Sequence, residues 1–209
     1  MMYISNRNLT RFDQRVNYLA HLYLSDGTPE SMVGSMLGDF VKGDDYNGYS
    51  PDIRSAILLH RQIDIFTDAH PTHRNSKARL DARHRHTKGV LVDIFYDHFL
   101  ARNWSDYADS PLEEFTALAY SALQTHLPIL PPRLKKILPH MVTYDWLRSY
   151  RDIVNIGHAL NGLSRRLTRR NELAQGLEEL QQNYEELERD FREFFPQLVE
   201  HVEDLRHTR

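Results

Sequence analysis

Apolar residues along this 209-residue chain recur at steps of three and four in most segments. Strict alternation is rare, so the pattern predicts helices throughout. Val16 to Ser25 puts Val16, Leu19, Ala20 and Tyr23 on one face. A second helix restarts with Thr28 as N-cap and Pro29 in its first turn, and runs to about Phe40 or Val41. It ends at "KGDDYNGYS", which is loop chemistry. Ser50 and Pro51 open a third helix that stops before Pro71. Further helices are expected in "VLVDIFYDHFLARNWSDY", in "PLEEFTALAYSALQTHLPILPP" and in "RDIVNIGHALNGLSRRLTRR", with one or two short ones in "PPRLKKILPHMVTYDWLRSY". From Asn171 to Arg209 the chain carries one long helical pattern. Its stripe is Leu173, Leu177, Leu180, Tyr184, Leu187, Phe191, Phe194, Leu198 and Val202. This suits a packing stripe or a coiled coil, kinked at Pro196.

Residues 1–15 are polar and non-periodic and are expected to be a mobile extension. No repeat or linker interrupts residues 16–209. The expected architecture is all-α: one single-domain helical bundle with a long kinked C-terminal helix.

Composition narrows the function classes. Net charge is -3, which gives no global case for nucleic acid or a membrane surface. No apolar run is long enough to span a bilayer, and "MMYISNRNLTRFDQR" lacks the apolar core of a secretory signal. A cytoplasmic protein is expected. Cysteine is absent, which removes disulfides, thiolate metal sites and cysteine nucleophiles. A metal would have to be held by His, Asp, Glu or water, and the 12 histidines make that worth pursuing.

Positions four apart on a helix lie within about 40° of each other. Three helices carry polar pairs at that spacing in apolar surroundings: Asn17/His21, His60/Asp64 (continued by Asp68) and Asp93/Asp97, with His98 directly after. Asp39 sits in "LGDFV", where an apolar helix is about to end. Any one such residue is ordinarily solvated, capping or hydrogen-bonded in a core. Asp52 and Asp152, near helix starts, fit that description. Several buried carboxylates together are costly, and a shared divalent cation removes the cost. Imidazole and carboxylate without thiolate suit Mn, Fe, Mg or Zn. Basic residues cluster at Arg74, Lys77, Arg79, Arg83, Arg85 and Lys88, and again at Arg165, Arg166, Arg169 and Arg170. These suit phosphate or an acidic protein partner. "GDFVKGDDYNG" lacks the spacing and terminal Glu of a calcium loop.

"NYLAHLYLS", "GSMLGDFVKG", "LLHRQIDIFTDAHP", "LVDIFYDHFLARNW" and "LNGLSRRL", in this order, strongly resemble the bacterial acyl-carrier-protein phosphodiesterase family. The resemblance runs from about Val16 into the C-terminal helix. It implies an all-α relative of the HD-type metal phosphohydrolases. It implies removal of the 4′-phosphopantetheine arm from holo-acyl carrier protein, giving the apo-protein, with a divalent cation, usually Mn2+, as cofactor. Mg2+, Fe2+ and Zn2+ are the other candidates. The metal ligands it implies are His21, Asp39, His60, Asp64, Asp97 and His98. Asp64, Asp68, Asp93 and Arg61 are the catalytic candidates, with Asp68 and Asp93 either ligating or orienting ligands. Arg165, Arg166, Arg74 and Lys77 are expected to contact the acidic carrier or the phosphate. One departure stands out: HD enzymes use an adjacent His-Asp pair, whereas His60 here precedes Arg61, and the only adjacent pairing is the reversed Asp97-His98.

Two other functions fit the same residues. One is a metal phosphohydrolase acting on a small phosphoester or nucleotide. The other is a non-enzymatic helical module that uses the C-terminal stripe to bind a partner.

Overall fold

The computed structural model describes residues 17–166 and 171–208, the side chain of Arg166 excepted. Among the described residues there are eleven α-helices and no strand. They are α1 (Tyr18–Tyr23), α2 (Pro29–Leu37), α3 (Pro51–Ala69), α4 (Pro71–Arg79), α5 (Lys88–Arg102), α6 (Leu112–Thr125), α7 (Pro132–Thr143), α8 (Trp146–Ser149), α9 (Ile153–Arg166), α10 (Gly176–Gln182) and α11 (Tyr184–His207). The expected N-terminal extension, Arg169 and Arg170 lie outside the described residues.

Helix starts follow the sequence signals. Thr28 is extended and its hydroxyl accepts a hydrogen bond from the Ser31 N–H at 3.2 Å. Pro29 and Pro51 each fill the first helical turn, where no N–H is needed. Asp152 caps α9 by accepting from the Val154 N–H at 3.0 Å.

The fold is built around α5. From Leu91 to Ala101 every residue of this helix is buried, and α1, α4, α9 and α11 pack on it. A helix apolar all round belongs in the middle of a bundle. The α11 positions Leu187, Phe191, Phe194, Leu198 and Val202 are all buried. The C-terminal stripe is therefore intramolecular core. Pro196 lies on the exposed side of α11, so the carbonyl its ring leaves unbonded faces water and the helix continues through it.

Two boundaries differ from expectation. The C-terminal pattern is not one helix: a 3-10 turn at Leu173–Gln175 and α10 precede α11, with the break at Asn183. The Asn183 side-chain Nδ2 donates to the Glu179 carbonyl at 3.1 Å, the kind of local side-chain bond that competes with helix continuation. Helix α2 stops at Leu37, and residues 38–40 form a turn.

Candidate metal centre

The packing of α2 on α3 rests on two glycines four residues apart. A Cβ on Gly34 would fall 2.5 Å from the Ala56 Cβ, and one on Gly38 would fall 2.2 Å from the His60 ring. Glycine at both positions lets the helices approach closely and lets the His60 ring slide under the end of α2. There, His60 Nδ1 lies 2.8 Å from the Ser35 carbonyl. A carbonyl only accepts, so Nδ1 carries the proton and Nε2 presents a lone pair.

Helix α1 brings the second imidazole. Its first N–H groups have no intrahelical partners, and Asn17 gives no side-chain cap. Asp97, from the middle of α5, accepts from the Leu19 and Ala20 N–H groups, each at 2.9 Å. That tie fixes α1 so that His21 stacks on His60 with ring centroids 3.6 Å apart and planes 15° apart. Asp64 Oδ1 lies 3.4 Å from His21 Nε2, and Asp64 Oδ2 lies 3.6 Å from His60 Nε2. Asp39, on the turn after α2, puts Oδ1 3.6 Å from His60 Nε2.

This group is built like a cation site. One donor atom each from His21, His60 and Asp64 lies within 4.8 Å of the others, the one such group among the described residues. Both ring nitrogens of His21, His60 Nε2 and Asp39 Oδ2 are buried without a hydrogen-bond partner. Two stacked imidazoles cannot both be protonated cheaply. Burial, and then the neighbouring His60, lower the pKa of His21. Burial also pulls on His60, but Asp39 and Asp64 outweigh it and its pKa is raised. A divalent cation would use the open nitrogens and carboxylate oxygens together.

The other expected site residues lie outside this group. Both Asp97 oxygens serve α1, and burial, against those two hydrogen bonds, holds its carboxyl well above the usual range. His98 lies between the Tyr150 carbonyl (2.8 Å from Nδ1) and the Tyr184 hydroxyl (2.9 Å from Nε2). Asp93 faces His73 Nε2 at 3.5 Å. Asp68 pairs with Lys77 at 3.7 Å, and Arg74 Nε donates to the Asp68 carbonyl at 3.2 Å. Arg61 donates to the Val41 and Gly43 carbonyls at 3.2 and 2.8 Å and covers the Tyr46 ring. It thereby clamps the loop that follows Asp39. Arg165 is exposed on α9.

Residues 16–198 match the family model described as acyl carrier protein phosphodiesterase. The chain belongs to this family. A protein of that name from Serratia proteamaculans (strain 568) is 35% identical over 190 residues, covering 90% of this chain and 98% of that protein. Proteins of the same name from Escherichia coli O45:K1 (36% identical; 88% of this chain, 96% of theirs) and Salmonella dublin (35%; 88% and 96%) are similarly close. No solved structure matches the chain. The family match runs from α1 into α11, and so contains His21, Asp39, His60 and Asp64.

Two features of this family member are visible only in the structure or by a faint sequence signal. His73 stands beside the basic cluster that begins at Arg74, with no periodic signal of its own, yet it is buried against Asp93. Gly38 gave a signal that could have been read, since a glycine four residues after Gly34 in an apolar helix marks close helix approach. Among the described residues no helix is long and apolar enough to cross a membrane.

Proposed function

We propose that this chain is a metal-dependent phosphodiesterase that releases 4′-phosphopantetheine from holo-acyl carrier protein, leaving the apo-protein. The observation that carries the metal dependence is the convergence of His21, His60 and Asp64, with ring nitrogens of both histidines and Asp39 Oδ2 buried without a hydrogen-bond partner. The relatives' shared name carries the substrate.

His21 Nε2, His60 Nε2 and the Asp64 carboxylate would hold the cation, with Asp39 at its edge. A divalent cation in that place supplies Lewis acidity toward a phosphoryl oxygen and makes bound water acidic near neutral pH. The imidazole–carboxylate donor set suits Mn2+, and also Fe2+, Mg2+ or Zn2+. The Ser35 carbonyl holds the His60 proton on Nδ1, keeping Nε2 available for ligation. Asp39, whose Oδ2 has no hydrogen-bond partner, would accept the proton of the attacking water. Water adds to phosphorus, the phosphorus–oxygen bond to the carrier serine breaks, and the serine oxygen takes up a proton. Asp97 and Arg61 act at one remove: the first holds α1 and thus His21, the second holds the loop after Asp39.

The test is the mass of holo-acyl carrier protein after incubation with this protein and Mn2+, with a chelator control. Loss of the phosphopantetheine mass only with metal is the expected result. Bound metal without that loss would move the substrate to small phosphoesters or nucleotides. Absence of both would leave a helical module with no catalytic centre.

A further inference from the structure

A second cavity, apart from the histidine cluster, shapes the fold. It holds about 630 Å³ and lies between the α7–α8 corner and α9, within the size range of small-ligand sites. Its inner wall includes Tyr18. Tyr18 precedes His21 by three residues in α1, about 4.5 Å of helix rise. Tyr18 also stacks on Phe40, the neighbour of Asp39, with centroids 6.4 Å apart, and Arg133 of the cavity wall covers the other partner of that stack, its guanidinium 5.4 Å from the Phe40 ring. The cavity thus touches α1, which carries His21, and Tyr18 and Arg133 of its wall both contact Phe40, the neighbour of Asp39.

Its lining describes its ligand. Apolar contact comes from Tyr18, Ile137, Trp146, Ala159 and Leu163, and amide-type partners from Asn155 and Ser149. Three arginines (Arg133, Arg148, Arg151) stand against three carboxylates (Glu113, Asp145, Asp152). Several are already joined: Arg151 reaches Glu113 at 3.2 Å, and Arg148 reaches Asp145 at 2.9 Å. A wall whose arginines and carboxylates balance in number suits a long neutral ligand with amides and an apolar group. It does not suit a nucleotide, which brings several phosphates of its own. Asp145 has φ of +43°, a left-handed conformation that costs energy in a non-glycine residue and collects at functional corners. Here it turns the chain from α7 into α8 along the cavity wall.

We propose that this cavity receives the pantetheine arm of the substrate, holding it while its phosphate sits at the histidine cluster. The proposal rests on the function proposed above for the substrate, and on the cavity for the place. The arm carries amides, a hydroxyl, a geminal dimethyl group and a thiol, and no charge until its phosphate. An arm of that kind suits a wall of apolar groups and balanced charges that touches α1, the helix of His21.

Gly162 gives the test. It lines the cavity, and a Cβ there meets nothing within 4 Å, so Gly162→Phe fills the space without touching the backbone. Ala159→Leu does the same from the next turn of α9. The probe is pantetheine, which has no phosphate and so reads the cavity alone, titrated into the Mn2+-loaded full chain. Wild type is expected to bind it, and both variants to bind it at least about tenfold more weakly. Turnover of holo-carrier protein should fall by a similar factor in kcat/KM, with Mn2+ affinity and thermal midpoint unchanged. Unchanged pantetheine binding in folded variants would overturn the proposal, as would lost Mn2+ affinity. If wild type binds pantetheine, the variants do not, and holo-carrier is never cleaved, the cavity stands and the proposed function fails. If holo-carrier is cleaved equally by wild type and variants, the function stands and the cavity proposal fails.

Discussion

Two buried polar groups in this protein invite comparison. At the α4–α5–α11 junction, Ser76, Tyr96, Asp190 and Arg79 form a closed network. The Ser76 hydroxyl lies 2.8 Å from both the Tyr96 hydroxyl and Asp190 Oδ2, and Arg79 grips Asp190 through Nε and Nη2 at 2.8 and 3.0 Å. At the α1–α2–α3 junction, two histidines and two carboxylates stand close, yet imidazole nitrogens and a carboxylate oxygen are left without hydrogen bonds. Both groups remove charge from water. The first repays the desolvation with saturated, charge-assisted bonds. The second does not, and buried donors left open need another partner. Saturation, more than burial or residue type, separates the structural network from the candidate site.

The sharpest way to break that contrast is to remove a member of the open group. Asp64→Ala should lower metal-dependent turnover about a thousandfold or more while changing the thermal midpoint little, because its half-buried carboxylate is not part of a saturated network. A variant that loses stability while turnover per folded molecule persists would make the cluster structural. Gly38→Ala comes next. Its methyl would overlap the His60 ring, and a ligand displaced by about 1 Å costs on the order of a hundredfold in turnover. Steady-state kinetics with holo-carrier protein would show it, and unchanged kinetics would mean that His60 is not held there.

The closed network should answer in the opposite way. Asp190→Ala is expected to lower unfolding free energy by about 2 kcal/mol, a figure reduced because Arg79 is 34% exposed and can be resolvated. Turnover per folded molecule should not change. Denaturant titration beside kinetics separates the two, and a large activity loss at full stability would erase the distinction. The smallest effect expected is that of His98. Burial lowers its pKa from the usual 6.5, against the pull of the Tyr150 carbonyl. The unfolded chain therefore binds a proton that the folded chain resists. The stability His98 contributes is present above pH 6.5 and is lost as pH falls through its lowered value. His98→Gln should flatten that acid slope, and an unaltered slope would place its origin elsewhere.

Much of this was legible beforehand. Thr28, Pro29 and Pro51 set helix starts because capping chemistry is local. The spacing of His60 and Asp64 put them on one helical stripe, and the structure joins them. Asn183 was harder, because the apolar stripe continues across it and only the side-chain bond to Glu179 reveals the break. Asp97 and Asp68 carried the same helical signal as Asp64. Yet one turns to the N–H groups of α1 and the other to Lys77.

Most helix starts, the buried stripes and the family were legible in the order of residues. Those depend on spacing and on residue order, which a chain carries wherever it lies. That His21 meets His60 and Asp64, that Asp97 holds α1, and that a cavity lies beside Tyr18 followed from packing. Periodicity states which face of a helix is buried. What stands across from that face, and which atoms it leaves unbonded, follows only when the helices have packed.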